Sequence, residues 1–307
     1  MTVHGETAIV PAIGKAEARK VLETFQAKNN EANKTYSVQV NRTIEAGALG
    51  AIDQAGLKAR HAVYGGKAKN FAPLSLSDPR FLIPEQAGWP KSFVADVKAE
   101  REGKQSDSEV RWLLVFQRNA IDDPWKAVYL AVVSPSEMPQ FATESDGHVK
   151  DVPLDEGRSG LTIAPGRLSK AYTTYLGKRA GEKFADADAT SGLLASRAKE
   201  QQQERVRTEY ADLPAEPPQF TPFALRTKDG GAVVFFASHH QTKRTLPSGY
   251  TVEVSNPLVK ALMSGTPEHS VTYVRIAQDT VKVPAADQGG QITFIDQIMD
   301  LTRAEGS

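Results

Sequence analysis

Residues 109–133 read EVRWLLVFQRNAIDDPWKAVYLAVV, and the alternation of side chains along this stretch decides the fold class. In the first arm Val110, Trp112, Leu114 and Phe116 share one face, with Glu109, Arg111 and Gln117 on the other. That is the period of two of a half-buried strand. In the second arm Val128, Leu130 and Val132 share a face and Trp125 and Tyr129 take the opposite one, with turn chemistry at residues 119–124 between the arms. The stretch is predicted to be a β-hairpin.

Working outward, helices precede the hairpin. Pro11 and Gly14 punctuate the start of a stripe at Ala18, Val21, Leu22 and Phe25, which Tyr36, Val40 and Ile44 extend, so one long or broken helix is predicted to about Glu45. A second helix is predicted over 49–64, stopped by Gly65-Gly66. Residues 80–83, bracketed by Pro79 and Pro84, suit an edge strand, and residues 93–100 alternate as a strand with one wet face. Residues 143–160 are charged and small, the pattern of a linker.

Beyond residue 164 the same order restarts: Leu168, Ala171, Tyr172 and Tyr175 form a helical stripe, a charged helix follows over 191–210, and strands are predicted at 220–226, 233–240, 271–277 and 291–298. Residues 247–267 are an extra segment. The predicted fold class is α+β, as two tandem domains, each an N-terminal helical pair packed on a curved antiparallel sheet. The predicted units are a leader or tether over 1–12, a first domain over 13–142, a linker over 143–163 and a second domain over 164–304.

Composition supports two cores and narrows function. At 307 residues the chain exceeds the roughly 250–300 at which one core stops growing. Lys plus Arg and Asp plus Glu are equal at 37 each, so no net field favours nucleic acid as a partner. The longest uncharged run near an apolar core, residues 230–242, falls short of the roughly 18 apolar residues of a membrane helix. The absence of cysteine removes disulfides, thiolate metal sites and cysteine nucleophiles together.

A helical hairpin followed by a curved antiparallel sheet resembles the cone of the nuclear-transport-factor-like and cystatin-like folds, over about 13–140 and again 164–303. That superfamily holds isomerases, dehydratases, binding modules and structural domains, so the resemblance implies a fold and no single activity. Thr2-Val3-His4-Gly5-Glu6, followed by a short polar stretch, resembles the start of the mature part of uncharacterised actinobacterial lipoproteins, just after the lipid-bearing cysteine. This resemblance implies a place on the extracellular face of the bacterial cytoplasmic membrane. It also implies a membrane contact made only through a lipid anchor missing from this chain, and an envelope protein or ligand as partner.

Motifs for chemistry are weak. Ser196-Arg197-Ala198-Lys199 matches S-x-x-K, but its companion motifs are missing, Ser106-Asp107-Ser108 being only a partial echo. His239 and His240 are neighbours on a strand and point to opposite faces, so they cannot share a metal. Gly65-Gly66-Lys67 lacks the rest of a phosphate loop. No catalytic residue, metal or cofactor is therefore expected, and the expected role is a non-enzymatic cell-surface binding or scaffold protein. The alternatives are a cofactor-independent cone-pocket enzyme of isomerase or dehydratase type, and a cytoplasmic partner-binding protein. If the cone holds a ligand, Tyr36, Trp89, Asp96, Trp112 and Tyr129 are the expected lining, with Asp96 the candidate base of an enzyme.

Overall fold

A computed structural model describes residues 8–101, 110–178 and 180–307. The readings at Thr2–Glu6, at Ser106-Asp107-Ser108 and at Glu109 lie outside the described residues. In the first half, β1 (Ile9–Pro11) leads into α1 (Lys15–Thr35), α2 (Val38–Arg42) and α3 (Gly47–Tyr64). Strands β2 (Leu74–Leu82), β3 (Glu85–Ala87), β4 (Lys91–Arg101), β5 (Arg111–Arg118) and β6 (Lys126–Val133) follow. The second half holds α4 (Leu168–Lys178), α5 (Leu193–Gln201), β7 (Arg207–Pro214), β8 (Phe223–Arg226) and β9 (Ala232–Thr245). It closes with α6 (Pro257–Ala261), β10 (Met263–Ser264), β11 (Ser270–Val283) and β12 (Thr293–Gly306).

The helix α1 forms because Ala18, Leu22, Phe25, Asn29 and Ala32 recur at spacings of four and three and bury one stripe. It stops at Tyr36, whose left-handed φ of 51° ends the helix while its N–H still reaches Ala32. Ser37 Oγ then accepts from Val40 N–H to start α2. Gly65 at φ 76° ends α3, as its glycine pair predicts.

The four-stranded sheet runs β2-β4-β5-β6 and the six-stranded sheet β10-β12-β11-β9-β7, with β8 also on β9. All pairings are antiparallel except β10 with β12. The hydrophobic clusters give the layer order helix, sheet, sheet, helix. On one face of the first sheet, Phe93, Ala95, Leu114 and Phe116 pack against Leu22 and Phe25 of α1. On its other face, Val94, Leu113, Val115 and Tyr129 pack against Phe223, Leu225, Val233 and Phe235 of the second sheet. Val234 and Phe236, on the far face of β9, pack against Leu168 and Tyr172 of α4. The fold class is α+β, with helices packed on antiparallel sheets.

Three local expectations change for physical reasons. Residues 93–100 do not have a wet face along most of their length, because the second sheet covers the side opposite α1; Arg111 and Gln117 are buried for the same reason. The second arm of the hairpin carries a bulge: Val115 pairs with Tyr129 and Phe116 with Ala127, leaving Val128 unpaired. Beyond a bulge the facing parity inverts, so Val128 joins Tyr129 and Ala131 on the inter-sheet face while Leu130 turns toward α1. Gly47, at φ 57°, lets α3 begin against this bulge, where a Cβ would meet Val128 at 3.3 Å. Residues 143–160 are not a free tether. Val149 and Val152 are buried, and bridges join Val149 to Pro84 in the first half and Asp151 to Leu225 in the second.

Candidate functional site

The layers do not close everywhere. A cavity of about 460 Å³ remains between α1, α3, the ends of β5 and β6, and the second sheet. Its position follows from how α1 is fastened. Along β2, Leu74 N–H donates to Asn30 Oδ1, Asn30 Nδ2 returns a bond to Leu74 O, and Leu76 N–H donates to Gln26 Oε1. These bonds hold the C-terminal half of α1 toward the β2 edge, and α3 closes the space on the other side.

The walls are apolar: Phe25, Leu49, Ile52, Leu114, Leu130 and Ile298, with the rings of Trp112 and Tyr36. Among them sit Asn29, Glu45, Asp53, Arg60, Arg101 and Gln278. Glu45 is held by the backbone on either side, since Ala127 N–H donates to Ile44 O and Ala46 N–H donates to Ala127 O. Its Oε2 accepts from Asn41 Nδ2 at 2.7 Å. Its Oε1 has no hydrogen-bond partner among the described residues. Burial pushes Glu45 well above the usual range, and the neighbouring Asp53 charge raises it further. Burial raises Asp53 as well, outweighing Arg60 and Arg101, which pull the other way. Asp53 keeps partial exposure because it opens onto the cavity.

The second half completes the site. Gln278 Oε1 accepts from Leu130 N–H at 2.7 Å, and Asp296 Oδ2 accepts from Val132 N–H at 2.7 Å, so side chains of β11 and β12 satisfy the open edge of β6. Gln278 Nε2 is left without a partner among the described residues.

Of the five residues named from sequence, the structure brings Tyr36 and Trp112 to this cavity. Trp89 lies elsewhere, 44% exposed, with the Arg118 guanidinium over its ring at 5.3 Å. Asp96 is neither wet nor in the cavity. It is buried on the inter-sheet side of β4, where it accepts from Arg111 Nε, while Arg111 also reaches Asp78 Oδ2 at 2.7 Å. This ion pair leaves Asp96 no freedom to act as a base. Tyr129 belongs to the inter-sheet core, its hydroxyl donating to Thr221 O at 3.1 Å and its pKa raised by burial. Glu45, Asp53, Arg60 and Arg101 were missed. One signal was present: Asp53 is the only acid in α3, whose buried residues are all small or aliphatic, and Arg60 follows it by two helical turns.

A second polar cluster lies beneath α4 and α5. His240 Nδ1 meets Asp212 Oδ1 at 2.7 Å and His240 Nε2 meets Ser238 Oγ at 2.9 Å, the order of contacts of a serine-hydrolase triad. Its chemistry is different. The Ser238 hydroxyl donates to Asp279 Oδ2 at 2.6 Å, so its proton is not offered to the imidazole, and both Ser238 and Asp279 are wholly buried. Arg197 makes a two-pronged bond to Asp212, which holds that carboxylate below its usual range despite burial. Arg197 turns inward while Ser196 and Lys199 stay on the surface, so the S-x-x-K residues meet no nucleophilic setting. His239 points the other way, edge-on to Phe220 at 5.1 Å.

Fold and site together define an α+β protein with a cavity of about 460 Å³ where its helical pair meets its two larger sheets. The chain belongs to the family described as Domain of unknown function (DUF8094), which matches residues 9–306. It is similar to an uncharacterized lipoprotein of Streptomyces avermitilis, 38% identical over 307 residues, covering 100% of this chain and 90% of that protein. A Streptomyces coelicolor lipoprotein is 39% identical over 306 residues, with 100% and 90% covered. A second S. coelicolor lipoprotein is 24% identical over 300 residues, with 92% and 80% covered. No solved structure gives a significant match, so the resemblance to nuclear-transport-factor-like cones rests on element order alone. Among the described residues no helix is long and apolar enough to cross a membrane.

Proposed function

We propose that this chain is the folded part of a non-enzymatic binding lipoprotein, tethered at the outer face of the cytoplasmic membrane, that holds a small ligand between its two halves. The cavity carries this reading. Here, where the helical pair meets both large sheets, about 460 Å³ stays open among polar groups that do not saturate one another. That volume falls in the range of sites for small molecules. The names of the relatives support the location.

Native mass spectrometry of the protein taken from a producing cell envelope tests the reading. A stoichiometric small-molecule adduct is expected, together with a diacylglyceryl mass on the N-terminal peptide. The adduct should vanish in Ala72→Trp, which fills the cavity from its loop wall. An envelope-purified protein without lipid would refute the location, and one without adduct would refute ligand binding.

A second reading draws on the Glu45–Asp53 pair: two carboxyls raised by burial in one cavity suit cofactor-independent proton transfer of isomerase or dehydratase type. Glu45→Gln separates the two. It keeps the hydrogen-bonding shape, so a binding protein retains its ligand, whereas an enzyme loses turnover.

A further inference from the structure

The cavity has a sign as well as a shape. Arg60 and Arg101 both line it, each half-buried, and neither has a salt-bridge partner among the described residues. The Arg60 guanidinium stands over the Tyr36 ring at 5.8 Å, which orients it without neutralising it. Beside the two arginines lie Glu45 and Asp53, both raised by burial toward the neutral form. The polar end of the cavity thus presents two guanidiniums with no ion-pair partner among the described residues. The opposite end is aliphatic and aromatic, walled by Leu114, Leu130, Ile298 and the Trp112 indole.

We propose that the cavity takes an amphipathic monoanion, its ring or chain against Trp112 and the aliphatic wall and its single acidic group between Arg60 and Arg101. This rests on reading the cavity as a ligand site. A guanidinium offers a planar pair of donors that fits a carboxylate, sulfonate or phosphate ester. A cationic ligand would have to sit against the same two guanidiniums. A sugar would leave most of its hydroxyls against Leu114, Leu130 and Ile298, where no donor or acceptor meets them.

The test uses two probes on the full chain: 8-anilinonaphthalene-1-sulfonate, and N-phenyl-1-naphthylamine, which has the same rings without the sulfonate. One site per chain is expected for each by fluorescence titration, with the anion bound about tenfold tighter, the scale of one charged hydrogen-bonded contact. In Arg60→Gln/Arg101→Gln the anion should lose that advantage while the neutral probe holds its affinity. If the double variant does not fold by circular dichroism, the single Arg101→Gln at the end of β4 carries the same comparison. Equal affinity for the two probes, or an anion preference that survives arginine removal, overturns the monoanion. Failure of both probes to bind, or binding that persists in Ala72→Trp, overturns the cavity as a ligand site instead.

Discussion

Phe235→Ala asks whether the two halves stand or fall together. Phe235 has no exposed surface and lies on the inter-sheet face of β9, stacked on Phe223 with centroids 6.5 Å apart and tilted against Tyr129 of β6 at 6.4 Å. Truncating such a ring removes its burial and opens a cavity, at a cost of about 3–5 kcal/mol. At a urea slope of about 3 kcal/mol per molar, the unfolding midpoint should fall by roughly 1–1.5 M. All three tryptophans, Trp89, Trp112 and Trp125, lie in the first half, so their fluorescence reports on the half that does not carry the substitution. Because Val94, Leu113, Val115 and Tyr129 share one core with Phe235, the tryptophan transition should shift by the same amount as the far-ultraviolet circular dichroism. A tryptophan midpoint that stays put while the dichroism splits into two steps would refute the shared core.

Three further outcomes follow from the buried polar groups. A carboxyl whose folded pKa is raised contributes stability below its ordinary pKa of about 4.3 and loses it as pH rises through the folded value, at about 1.4 kcal/mol per unit. Glu45→Gln, which fixes the neutral form, should therefore gain on the wild type in thermal melts as pH rises above the ordinary carboxyl range; a difference that does not change with pH refutes the upward shift of Glu45. Arg111→Leu leaves Asp96 buried without its partner and should cost about 3–5 kcal/mol in urea unfolding, a loss under 1 showing that the pair is not desolvated. Ser238→Ala should cost about 1–3 kcal/mol by leaving Asp279 Oδ2 and His240 Nε2 without the hydroxyl they share, and should leave probe binding in the cavity unchanged. Any ester hydrolysis by the wild type that Ser238→Ala abolishes would overturn the structural role of that cluster.

Sequence periodicity was a sound guide wherever one element's own chemistry decides its shape. The stripe at Ala18, Leu22 and Phe25 became the buried face of α1, and Gly65 ended α3 where the glycine pair predicted. The hairpin forms the β5-β6 side of the first sheet. Periodicity misled where a neighbour supplies the environment. Asp96 alternates with Ala95 and Val97 as a wet residue would, but a second sheet covers that face and Arg111 compensates the charge. Val128 fell on the wrong face because a bulge inverts parity and leaves no mark in the pattern.

The cavity was hidden for a related reason. Tyr36 and Trp112 were found because aromatics stand out in a local window. The groups that give the site its chemistry are ordinary in theirs: Glu45 at a helix break, Asp53 and Arg60 along a helix, Arg101 at a strand end, Gln278 in a strand of the other half. Their meaning comes from convergence across large separations. Leu130 and Gln278 stand 148 residues apart, and the bond between them seals β6 against β11 at the wall of the cavity. A residue's own neighbours in sequence tell which face of its element it occupies, whereas the site depends on what the opposite face of another element brings to meet it. For this chain the assembly of the two halves is therefore a condition of the cavity as well as of stability. Substitutions at the inter-sheet core, Phe235→Ala among them, should weaken probe binding in the still-folded fraction by loosening Gln278 and Ile298 from their places opposite Trp112.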